Sequence, residues 1–227
     1  MDKKRILCFG DSNTWGVIPR WHDTDIPSER YDEQTRWPQV MARCLGEDYQ
    51  IIEEGLGGRT TIYDLPGEPG KNGAVYLLPC LQSHRPLDLV IIMLGTNVLR
   101  LDKPLKEMDI GNGIQNLIRI VQSQTRCGRK LEPAKLLIIA PIEVWPSDPH
   151  GRVSVYPRFF GERATYLSKL FPSIYKTLAD EYGCYFLNAA LYAVPSAGDG
   201  IHMLPEGHIA LGKAVSEKVI EIFSQTT

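Results

Sequence analysis

The sequence predicts a three-layer α/β domain with a parallel sheet at its centre. Short apolar runs alternate with helical stretches, giving five β–α units along the chain. Two of the runs, Leu87–Leu94 and Lys135–Ala140, are almost continuously hydrophobic. Strands have this composition when helices cover both faces of a parallel sheet, because neither face meets water. No second compositional regime, internal repeat or low-complexity segment interrupts the pattern, so residues 1–227 are read as one domain. A chain of this length can bury a full core without staples.

In chain order, the first strand is expected over Ile6–Phe9, running straight into the glycine-bounded turn Gly10-Asp11-Ser12-Asn13-Thr14-Trp15-Gly16. A helix is expected over Trp37–Leu45, a strand over Tyr49–Glu53 and a helix over Asn72–Ser83. The apolar runs Leu87–Leu94 and Lys135–Pro141 supply the next two strands, with a helix over Met108–Gln124 between them. A helix over Glu162–Glu181 should kink at Pro172, which lacks an N–H and crowds the preceding turn. The last strand is Cys184–Leu187 and the last helix Pro205–Phe223. Pro205 stands where a first-turn proline is tolerated, with Glu206 on the favourable side of the helix dipole. The two longer loops, Val17–Arg36 and Ile142–Phe160, are rich in Pro, Trp, Asp and Arg, and are the expected walls of a pocket or an oligomer contact.

Bulk properties exclude several classes of function. A net charge of −2 implies no general attraction to nucleic acid or to an anionic membrane. No apolar run approaches the roughly 18 residues of a membrane span, and the strand after Met1-Asp2-Lys3-Lys4 is too short for a signal-peptide core. The cysteines, Cys8, Cys44, Cys80, Cys127 and Cys184, are odd in number, widely spaced and without a C-x-x-C pair. They predict neither a disulfide framework nor a zinc knuckle, and are read as buried, reduced thiols of a cytoplasmic protein.

Right-handed crossovers place a ligand site at the carboxyl ends of the strands. Ser12 follows the first strand, Gly57 and Gly58 the second, and Asn97 the third, while Asp199 and His202 lie between the fifth strand and the last helix. All should meet at one edge of the sheet. A serine hydroxyl becomes a good nucleophile when a histidine takes its proton and a carboxylate orients that histidine. Asp199-Gly200-Ile201-His202 has the spacing of such an acid–base pair within one loop turn. Taken singly, each piece has a plainer reading: Ser12 as a helix cap, Asp199 as a surface turn, Gly95-Thr96-Asn97 as a turn with an Asn cap. His208 is expected inside the last helix as a packing or solvated residue, and His22, His84 and His150 as structural or surface residues. Acyl transfer also needs donors for an oxyanion. Gly55-Leu56-Gly57-Gly58-Arg59-Thr60 supplies a backbone N–H that a substrate can approach closely, and Asn97 an amide. That glycine run fails as a dinucleotide fingerprint, because Thr60 stands at its third glycine. No G-x-S-x-G elbow is present.

The four blocks Gly-Asp-Ser12-Asn, Gly58 within Gly-Leu-Gly-Gly-Arg-Thr-Thr, Gly-Thr-Asn97 and Asp199-Gly-Ile-His202 resemble those of the SGNH superfamily of GDSL-type esterases and lipases, over nearly the whole chain. Runs such as Arg-Ile-Leu-Cys-Phe-Gly-Asp-Ser and Leu-Asp-Leu-Val-Ile-Ile-Met-Leu-Gly-Thr-Asn are most similar to its bacterial arylesterase/acyltransferase branch. The resemblance implies a flavodoxin-like five-stranded sheet in an α/β/α sandwich and a mechanism without metal or cofactor. It implies Ser12 as nucleophile, His202 as general base and Asp199 as its orienter. The oxyanion would be held by the Ser12 and Gly58 N–H groups and the Asn97 amide. Asp11, Trp15 and Gly57, beside these groups, are candidate substrate contacts. Two departures stand out. Val98 replaces the acid that usually follows Gly-Thr-Asn, which should alter loop or helix-start geometry. Asn13 stands where Leu or Ile is frequent, which should make the pocket edge more polar.

The expected activity is hydrolysis of small esters, acetyl first, with Trp15 limiting acyl length, and with activity falling below a pH of roughly 6–7 as His202 protonates. The branch resemblance also implies acyl transfer to alcohols, and a homo-oligomer that narrows the entrance. A reading from a different class, a binding module that keeps the fold without catalysis, is motivated by Val98 alone.

Overall fold

The computed structural model describes residues 2–19, 29–100, 106–145 and 160–225. Five strands, β1 (Lys4–Gly10), β2 (Tyr49–Gly55), β3 (Leu89–Met93), β4 (Lys135–Ala140) and β5 (Tyr185–Asn188), form one sheet in the order β2-β1-β3-β4-β5, with every neighbouring pair parallel. The described helices are α1 (Ser12–Trp15), α2 (Trp37–Leu45), α3 (Gly73–His84), α4 (Glu107–Ser123), α5 (Glu162–Ser168), α6 (Phe171–Tyr182) and α7 (Pro205–Ser224). The fold is the α/β architecture that the apolar runs predict, and its strand order is the flavodoxin-like one.

Strict alternation along the buried strands divides the core in two. Ile6 and Cys8 of β1, Leu89, Ile91 and Met93 of β3, and Leu137 and Ile139 of β4 pack under α2 and α7. Their neighbours Leu7, Phe9, Val90, Ile92, Leu136 and Ile138 pack under α3, α4, α5 and α6. Side chains a strand residue apart point to opposite faces, so a continuous apolar run is what a sheet covered on both faces requires. At about 25 cal/mol per Å² of apolar surface, fully burying one such Leu or Ile contributes about 1.5–3 kcal/mol.

The structure corrects three local expectations. The stretch Glu162–Glu181 is two helices, not one kinked helix: α5 ends at Ser168 and Pro172 lies in the first turn of α6, where its missing N–H leaves no helical bond unmade. Ser12 is not the cap of the turn after β1; Asp11 is, its carboxylate accepting the Asn13 N–H at 3.0 Å. The cysteines are free, but they are not all buried: Cys44 is exposed and Cys184 half-buried. The parts of the two long loops over residues 20–28 and 146–159, including His22 and His150, lie outside the described residues.

β1 is central, and its last residue Gly10 stands opposite Gly55 of β2 and Met93 of β3. The order reverses direction between β1 and β3, and chain connections diverge there to leave a crevice beyond the strand ends. Backbones crowd at this point. A Cβ on Gly55 would stand 2.2 Å from the Trp15 backbone nitrogen, so only glycine lets α1 lie against the end of β2.

Candidate active site

Ser12 is placed by the abrupt stop of β1 and the single helical turn that follows it. Asp11 caps that turn, its backbone carbonyl accepts the Thr14 and Trp15 N–H groups, and Gly16 closes it in the left-handed conformation. Nearly two hundred residues later, the loop between β5 and α7 folds back over it. Asp199 organises that loop: Oδ1 accepts the Ile201 and His202 backbone N–H groups, both at 3.0 Å. Its Oδ2 lies 2.7 Å from His202 Nδ1, and His202 Nε2 lies 2.9 Å from Ser12 Oγ. Carboxylate, imidazole and hydroxyl therefore form one continuous hydrogen-bonded chain, with Asp199 only 1% exposed.

Burial sharpens the charge balance. For Asp199, desolvation pushes the carboxyl up, but the His202 ring and the two backbone N–H groups outweigh it and hold it below the ordinary value. For His202, burial pulls the ring down, while the Asp199 charge and hydrogen bond, with help from Asp11, leave it net raised above 6.5. Each partner stabilises the charged form of the other. Asp11 differs: burial pushes its carboxyl up to about 6, against the Asn13 N–H and the nearby His202 and Arg59 charges.

The glycine-rich segment after β2 lies beside this chain. Leu56 N–H donates to the Gly10 carbonyl at 3.1 Å, and Arg59 N–H to the Leu56 carbonyl at 3.0 Å, which folds residues 56–59 into a turn. Gly58 takes φ of +77°, a left-handed conformation that favours glycine. Arg59 is the fastener of this turn. Its buried guanidinium donates to the Gly10 carbonyl at 2.9 Å and to the Glu54 carbonyl, and stacks over the Phe9 ring at 4.2 Å. Asn97 Nδ2 donates to the Arg59 carbonyl at 3.1 Å, joining the end of β3 to the same turn. Lys71 Nζ holds the Gly57 carbonyl at 2.6 Å.

The sequence-predicted residues thus fall in one neighbourhood. Ser12, Asp199 and His202 are in direct hydrogen-bond contact, and Gly57, Gly58 and Asn97 are joined to them through Arg59 and Gly10. Asp11 is 2% exposed and turned onto its own helix turn. Trp15 is half-buried and held from outside by Arg30, whose Nε donates to the Trp15 carbonyl at 2.6 Å and whose guanidinium lies 5.2 Å from the ring centre. Val98, 4% exposed, packs into the core beneath the 3-10 turn Thr96–Leu99, where an aspartate would meet apolar neighbours. Asn13 is not a polar pocket edge. It is 3% exposed, its Nδ2 donates to the Ile201 carbonyl and its Oδ1 accepts the Met203 N–H, both at 3.0 Å. Sequence reading missed Asn13 and Arg59 as structural members of the site, although a lone buried-type Asn beside the serine was the available signal. A separate cavity of about 340 Å³ between β5 and α7, lined by Phe186, Asn188, Leu191 and Glu217, contains none of these residues.

The sequence profile of the GDSL-like lipase/acylhydrolase family matches residues 8–210. Among solved structures, the M. smegmatis aryl esterase is 37% identical, with 96% of this chain and 99% of that chain covered and a TM-score of 0.87. A carbohydrate acetylesterase from Sinorhizobium meliloti is 39% identical, with coverages of 97% and 100% and a TM-score of 0.88. A further carbohydrate acetylesterase family member from the same organism is 30% identical, covered to 97% and 99%, with a TM-score of 0.86. No curated protein matches the sequence. Among the described residues, no helix is long and apolar enough to cross a membrane.

Proposed function

The chain belongs to the GDSL-like lipase/acylhydrolase family and is a carboxylic ester hydrolase, and from that premise we propose that it hydrolyses small short-chain esters, acetyl esters first, through an acyl-enzyme on Ser12. The observation that carries this reading is the hydrogen-bonded chain from Asp199 Oδ2 through His202 to Ser12 Oγ, at 2.7 and 2.9 Å. Ser12 Oγ attacks the ester carbonyl carbon as His202 Nε2 takes its proton. The tetrahedral intermediate collapses, the C–O bond to the alcohol breaks, and His202 returns the proton to the leaving oxygen. Water then attacks the acyl-enzyme with His202 again as base, releasing the acid and restoring Ser12.

The Ser12 and Gly58 N–H groups and the Asn97 amide are the proposed donors to the oxyanion. An Asn amide carries two N–H donors; one is engaged with the Arg59 carbonyl, which leaves the other for substrate. One such donor is typically worth about 10²–10³ in kcat. Trp15, next to the nucleophile and braced by Arg30, is the proposed limit on acyl length. Trp15→Ala should therefore raise activity on octanoate relative to acetate, and a wild type equally active on both would remove that role. Aryl esters and carbohydrate acetates, the ester classes named for the similar structures, are the leaving-group classes to compare.

The deciding experiment is hydrolysis of p-nitrophenyl acetate by the wild type and Ser12→Ala in parallel. A loss of about 10³-fold or more is expected. Equal rates in the two proteins would place the nucleophile elsewhere, and a wild type with no rate above buffer would favour a binding module.

A further inference from the structure

One cluster of side chains has ligand chemistry that ester hydrolysis does not use. Tyr76, Cys80 and His84 are four residues apart on α3 and so share one face of the helix. Glu54 of β2 meets that face: His84 Nε2 stands 2.8 Å from Glu54 Oε1. The ligand atoms of Glu54, Cys80 and His84 all lie within 4.8 Å of one another. Neither spacing nor composition marks Glu54 as their neighbour, because it lies far away in sequence on another element.

A thiolate, an imidazole and a carboxylate together are the donor set of a borderline-soft divalent cation. Calcium and magnesium prefer oxygen alone, whereas zinc accepts all three in a tetrahedral shell. We propose that Glu54, Cys80 and His84 form a zinc site that shares no residue with the Ser12–His202–Asp199 chain, solvent supplying the fourth ligand. On a tetrahedral zinc, ligand atoms stand about 3.3–3.6 Å apart. The 2.8 Å pair has to open slightly, and no pair starts more than 4.8 Å apart. The His84 side chain is 31% exposed and that of Glu54 18%, so an ion enters past His84 and meets the buried Cys80 behind it.

The step balances simply. As the Sγ–zinc bond forms, the Cys80 thiol releases its proton to solvent, and no electrons change hands. The two anionic ligands neutralise the ion. Arg59, whose charge opposes a cation here, is turned onto the Phe9 ring and the Gly10 and Glu54 carbonyls. The alternative is a plain His84–Glu54 hydrogen bond beside a buried thiol, holding no ion.

Cobalt(II) added to the full chain distinguishes these, because a thiolate–cobalt bond gives an intense near-ultraviolet charge-transfer band. A saturable band is expected, displaced by zinc, kept in Ser12→Ala and in Cys44→Ser, and abolished in Cys80→Ser. His84→Gln, at a partly exposed position, should weaken cobalt binding by at least about tenfold and decides the matter if Cys80→Ser does not fold. Absence of the band, its survival in Cys80→Ser, its loss in Cys44→Ser, or unchanged affinity in His84→Gln would each overturn the site.

Discussion

Both oxygens of the Asp199 carboxylate are committed, one to two backbone N–H groups and the other to His202 Nδ1. The carboxylate therefore fixes the loop and the imidazole at once, and its charge is what lifts His202 above 6.5 against the pull of burial. In the proposed chemistry a protonated His202 cannot act as base, so activity is lost as pH falls through that raised value. The acid limb of kcat/KM should have its midpoint above the roughly 6.5 of an unperturbed histidine. Asp199→Asn removes the raising charge and leaves the burial, so the midpoint should move down while kcat falls by about 10³–10⁴-fold from a misplaced tautomer. Rate profiles of both proteins across about pH 5 to 9 check this. A wild-type midpoint below 6.5, or a limb unmoved by the substitution, would disprove the link between Asp199 and His202.

At the scale of elements, the site depends on two distant segments being held in register, and Asn13 is the clip. Its amide bonds the Ile201 carbonyl and the Met203 N–H on either side of His202. This ties α1 to the β5–α7 loop. Asn13→Leu leaves both backbone groups unsatisfied in a buried place, at about 1–3 kcal/mol each. Urea unfolding should show a lower midpoint, and kcat should fall more than KM rises, because the serine and imidazole lose their mutual placement. An unchanged midpoint and kcat would mean the two bonds position nothing. Asn13 also shows where sequence reading ends. Strands were legible because a doubly covered sheet forces runs such as Leu89–Met93, and Ser12, Asn97, Asp199 and His202 because strand ends converge by topology. A buried Asn bonded to backbone leaves no periodic trace, and neither does a pair such as Glu54 and His84, joined only when β2 and α3 pack. The break between α5 and α6 was misplaced for a similar reason: Pro172 suits a first turn as well as a kink, and only tertiary packing decides which.

Across the whole molecule, stability should depend on pH through a group outside the proposed chemistry. His208, near the start of α7, is 0% exposed, and its ring meets Tyr31 edge-on at 5.3 Å between centroids. Neither ring nitrogen has a hydrogen-bond partner among the described residues. Burial, with the nearby His202 and Arg36 charges, pulls its pKa down to about 3, against about 6.5 in an unfolded chain. Between these values the unfolded state binds a proton that the folded state refuses. Stability is therefore fully present above about 6.5 and is lost as pH falls toward 3, by up to about 1.4 kcal/mol per pH unit from this ring. Asp11 acts in the opposite sense: with its folded value about 6 and its ordinary value 3.8, the folded state binds the extra proton, and stability falls as pH rises through that interval. The two slopes oppose each other where the windows overlap, so the wild-type profile alone is uninformative. The difference between wild type and His208→Phe isolates the ring, because Asp11 contributes to both. As pH drops below about 6.5, the unfolding free energy should shift progressively in favour of the variant, whatever the offset at neutral pH. Parallel profiles would show that His208 gains a proton as readily in the folded protein as in the unfolded chain, and that the packing around α7 does not exclude charge.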